Sequence, residues 1–137
     1  MSFSPAAIAA CRQEIAAQVR AYRDLVGAAS KASGMSLVRI DAALSAFEPA
    51  FFGNLLVALD ARFAPRARDA GASAEVALLA TALLRHGGVL TRDAALPHDA
   101  DASVLRLDFG DRVALNADDL ETLAAAFLAE LETQASA

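Results

Sequence analysis

The chain has 137 residues, of which 56% are hydrophobic, with a formal net charge of -5, a single cysteine and no tryptophan. This is the size of one domain, residues 1–137, and it is long enough to bury a core without disulfides or a structural metal. Residues 1–98 carry ten basic and eight acidic side chains and residues 99–137 two basic and nine acidic ones, which excludes a broad basic surface for nucleic acid.

Alanine fills about a quarter of the positions, which favours closely packed helices over sheets. Cys11 has no internal partner, so an oxidising compartment is not implied, and it is expected as a buried apolar residue. No basic stretch precedes the first alanines, and charged residues interrupt the apolar runs short of the roughly 20 residues that span a bilayer. A soluble cytoplasmic protein that makes no membrane contact is the expectation.

In chain order, Ser4-Pro5 reads as an N-cap and first helical residue. Ile8, Cys11, Ile15, Val19, Tyr22 and Val26 follow at helical spacing, giving a helix over about residues 5–29. Lys31, Ser33 and Gly34 mark a loop. Asp41 then caps a short helical stretch with Leu44 and Phe47, and Pro49 is a kink or a fresh helix start. Phe51, Phe52, Leu55, Leu56, Leu59 and Phe63 form a core stripe that Pro65 ends. Ser73 is the expected N-cap of the next helix, with Glu75 in its first turn. That helix is apolar nearly all round over residues 76–84 and should be central.

Past Gly87-Gly88 the period changes. Leu105, Leu107 and Phe109 alternate with Arg106 and Asp108, Gly110-Asp111 supplies a turn, and Val113 and Leu115 alternate on the return. That is the pattern of a small β-hairpin. Asn116 caps a last helix whose apolar face holds Leu120, Leu123, Phe127, Leu128 and Leu131. The expected fold is mainly α, an antiparallel helical bundle with a β-hairpin before the last helix.

Candidate chemistry centres on residues 78–88, where Arg85 and His86 stand at the end of an apolar helix closed by Gly87-Gly88. His86 suits a general acid or base, and Arg85 can hold a phosphate. Arg62, Arg66 and Arg68 form a candidate binding patch, since guanidinium groups suit bidentate phosphate contacts. His86 and His98 are too far apart, and too poorly accompanied, to read as a metal site. No phosphate-binding glycine loop is present, and no cofactor is implied. A ligand pocket between Phe51, Phe52 and the last helix is a further candidate.

A basic residue, a short apolar helical run, His-Gly-Gly, a variable loop, the sequence Leu-Asp-Phe-Gly-Asp-Arg-Val-Ala-Leu and an acidic-capped last helix together resemble the C-terminal half of HEPN-like helical domains. The resemblance covers residues 49–131. It implies a homodimer and, in active members of the family, an RNA-cleaving site at the dimer seam made by an Arg and a His a few residues apart on one helix. Leu79, Ala80 and Thr81 stand where that arginine belongs. Arg85, next to His86, projects about 100° away around the helix. The implied function is therefore a dimeric, non-catalytic HEPN-like module that binds a partner protein or RNA. The alternative is a metal-independent endoribonuclease using His86 at a dimer interface.

Overall fold

The computed structural model describes residues 3–136 and is 66% helical. Its four helices are α1, Pro5–Ala29; α2, Gly34–Arg62; α3, Gly71–Arg85; and α4, Ala117–Ser136. α1 starts as its sequence dictates: Ser4 Oγ accepts from the Ala7 N–H at 3.1 Å, and Pro5 takes the first turn, where no N–H is needed. It buries Ile8, Cys11, Val19 and Tyr22.

Between Gly34 and Arg62 the chain forms one continuous helix, so Asp41 caps nothing and Pro49 starts nothing. Proline removes the N–H that would reach the Ser45 carbonyl. Tyr22 of α1 spans this gap, with its ring stacked on Phe47 and Phe51 and edge-on to Phe52, and its hydroxyl donating to Glu48 Oε2 at 2.8 Å. Aromatic contacts on both sides of the proline hold the two halves in one rod.

α3 begins at Gly71 with Ala70 at its N-cap, which corrects the expectation of Ser73 in that role. The cap comes from another helix. Glu130 of α4 accepts from the Ala72 N–H at 2.7 Å and the Ser73 N–H at 2.9 Å, placing a carboxylate at the positive end of the α3 dipole. Gly71 has φ 65°, which favours glycine, and a Cβ there would push the Glu130 carboxylate out of its capping position. Residues 72–80 are all buried, which makes α3 the central helix.

The β-hairpin does not form, and the described residues contain no strand. The alternation of residues 105–115 survives as burial: Val113 and Leu115 are buried, and Leu105, Leu107 and Phe109 pack partly against the core. The ladder is lost because its polar groups bond elsewhere. The buried Glu75 carboxylate takes the Val104 and Leu105 N–H groups at 2.8 and 3.0 Å, and Arg106 adopts φ 55°, which breaks the extended run. The turn at Gly110 instead pairs with the segment leaving α3, through Gly110 N–H to the Leu90 carbonyl and Leu90 N–H to the Asp111 carbonyl, both 2.8 Å.

Helix lengths do not match. α2 has 29 residues and α3 has 15, about 43 Å against about 22 Å. Leu83 in the last turn of α3 lies level with Gly53, so α3 covers only the C-terminal part of α2. On the other side, Asp118 and Glu121 in the first turns of α4 pair with Arg23 of α1. Residues 24–29 of α1 and the N-terminal half of α2 therefore extend past the packed body. By length and composition α2 is apolar enough to cross a membrane, unlike the expectation from the sequence, although Arg39, Asp41 and Glu48 lie within it.

Candidate functional site

At the exit of α3 the glycine closure is formed. Gly87 and Gly88 have φ 62° and 82°, and the Gly88 N–H reaches back to the Ala82 carbonyl at 2.9 Å, which also accepts from the His86 N–H at 3.0 Å. Arg112 Nη1 donates to the Gly87 carbonyl at 3.3 Å, adding a cation at the negative end of the helix dipole. The side chains of Arg85 and His86 are exposed there, and neither has a hydrogen bond or ion pair among the described residues.

The three arginines of the candidate patch are each engaged with their own chain. Arg62 pairs with Glu14 of α1 at 2.5 Å, and this bond holds its guanidinium above the usual range. Arg68 donates to the Ala64 carbonyl at 2.9 Å. Arg66 has a fully buried side chain whose five hydrogen bonds reach Ser73 Oγ and the carbonyls of Asp60, Phe63 and Ser73 as well as the Asp60 carboxylate. Its guanidinium also lies over the Phe127 ring at 4.7 Å. Burial lowers the Arg66 pKa, against the opposing pull of Asp60. Arg66 is a staple that closes the α2–α3 loop, and it offers no donor to a phosphate.

A cavity of about 450 Å³ opens beside the start of α3, away from the pocket expected near Phe51 and Phe52. Glu75, Glu130, His98 and Asp99 are among its walls. Both glutamates already cap backbone N–H groups, and His98 Nε2 lies 2.5 Å from the Leu107 carbonyl. That bond puts a proton on Nε2. Glu75 ties the long loop to α3, Glu130 ties α4 to α3, and His98 closes the loop on itself.

The projecting ends of α1 and α2 carry a different chemistry. Met35 is 70% exposed and Val38 is 60% exposed, with Leu25 and Val26 exposed on α1 across the turn at residues 30–33. Apolar residues occur on every side of α2, yet between residues 34 and 47 only the inward stripe of Leu37, Ile40 and Leu44 is even partly covered. Asp24, Lys31, Arg39 and Asp41 lie around these side chains in sequence, and none of the four is in an ion pair among the described residues. The signal for this surface was present in the apolar run of residues 35–47. Its exposure followed only from the shortness of α3.

Comparison with protein-family models, with curated proteins and with solved structures finds no match to this chain.

Proposed function

We propose that this chain is a non-catalytic helical docking module for a protein partner, with residues 24–47 as its working surface. The observation that carries this reading is the exposure of Met35 and Val38 on the projecting half of α2, where apolar residues are not confined to the inward face. An exposed apolar patch of this sort marks an interaction site. Covering each of these side chains gains on the order of 1 to 3 kcal/mol, the drive for association before its entropic cost is subtracted.

RNA is the weaker partner class, because Arg62, Arg66 and Arg68 are spent on internal bonds and the chain is acidic overall. Cleavage has less support still, since among the described residues no arginine hydrogen-bonds to the exposed His86 side chain. Of the features behind the HEPN-like resemblance, the His-Gly-Gly helix end is formed and the strand pair is not. The resemblance enters this reading only in its non-catalytic form.

The test is the double variant Met35→Ser/Val38→Ser. An available docking surface predicts unchanged stability, within about 0.5 kcal/mol, because exposed side chains contribute little to the fold. It also predicts loss of most of the fluorescence of an apolar dye bound to dilute protein. A stability loss above about 2 kcal/mol would show that these side chains belong to the core, and the reading would fail.

A further inference from the structure

We infer that the occupant of this surface is a second copy of the same chain, an inference that rests on the docking reading and names its partner. The argument is charge complementarity. Residues 24–47 hold Asp24 and Asp41 against Lys31 and Arg39, a balance of zero in a chain of net charge -5. None of these four charges is in an ion pair among the described residues, so all four are open to an outside partner.

A nucleic acid or an anionic lipid surface selects one sign of charge, and so does a strongly charged protein partner. A charged face that meets itself about a two-fold axis is favoured when it carries both signs, because the same patch then supplies donor and acceptor. Self-contact through residues 99–137 is penalised, since they bring nine acidic side chains against two basic ones. At the projecting tip two such acidic molecules can meet without net repulsion, and it also exposes Leu25, Val26, Met35 and Val38. Apolar side chains within a balanced polar rim are the usual anatomy of a protein interface.

Sedimentation equilibrium on three proteins tests this: the wild type, an all-acidic variant (Lys31→Glu/Arg39→Glu) and an all-basic variant (Asp24→Lys/Asp41→Lys), with circular dichroism confirming the helical fold of each. The wild type is expected at twice the 14.2 kDa chain mass. Each variant alone should associate at least about tenfold more weakly, because like charges then face each other. An equimolar mixture of the two should recover the dimer, since every facing charge is opposite in sign whatever the register.

A wild type that stays monomeric overturns the inference, and if the dye result above still holds, the docking reading survives with another partner. Dimers of undiminished strength in both single variants place self-association elsewhere and overturn it as well. So does a mixture that fails to associate, or wild-type binding to anionic lipid vesicles that the all-acidic variant loses.

Discussion

Replacing Arg66 by methionine should cost about 3 kcal/mol of folding stability. The substitution keeps an apolar stem against Phe127 but removes all five guanidinium hydrogen bonds, leaving the Asp60 carboxylate and three backbone carbonyls without this donor. Removing one partner of a buried ion pair costs about 3 to 5 kcal/mol. Asp60 retains 19% exposure of its side chain, so water partly replaces the lost cation and the lower end applies. In a chain of this size that is a fall of roughly 10 °C in melting temperature. Chemical and thermal denaturation followed by helical circular dichroism measure it. Asp60→Asn and the double variant Arg66→Met/Asp60→Asn complete a cycle whose coupling should exceed about 1 kcal/mol. A loss below about 1 kcal/mol in Arg66→Met, or strict additivity in the cycle, would refute the staple.

Tyr22 is the sole tyrosine in a chain without tryptophan, so its ionisation is visible directly by ultraviolet absorbance. Burial, then the hydrogen bond to Glu48 and its charge, push the phenol up to about 12 from 10. A raised folded value means stability fully present below pH 10 and lost as pH climbs toward 12, on the order of 2 kcal/mol. Tyr22→Phe should flatten that alkaline loss, and a native half-point near 10 would contradict the burial. Gly71→Ala should destabilise by about 2 kcal/mol or more in urea denaturation, through its positive φ and the Glu130 carboxylate against it. Glu130→Ala should cost about 1 to 2 kcal/mol by the same measurement, as loss of a helix cap does. His86→Ala should change stability by less than about 0.5 kcal/mol and leave any RNA-cleaving activity of the preparation as it was. Activity lost with that side chain alone would reopen the nuclease reading.

The helices were legible because their apolar periods and end signals are local. Ser4-Pro5 starts α1, Gly87-Gly88 closes α3, and Asn116 and Asp119 cap α4 by exchanging backbone N–H bonds at 3.2 and 2.7 Å, all within a few residues. What escaped the sequence depends on partners distant along the chain. The α3 start is set by Glu130, 58 residues from Ala72, and the would-be hairpin is dismantled by Glu75, 29 residues from Val104. Both glutamates look like ordinary surface acids when read alone. The arginines misled in the same way: residue type marks Arg66 as a phosphate ligand, and only the fold turns it inward onto Asp60 and Ser73. The docking surface was hidden by arithmetic that needs the assembled bundle, the excess length of α2 over α3.

Amide hydrogen exchange at two protein concentrations tests the central claim most directly. Apolar tips that cover each other predict slower exchange across residues 24–47 in concentrated protein, with α3 and α4 unchanged. Rates in that segment that do not depend on concentration would contradict self-docking at the tip.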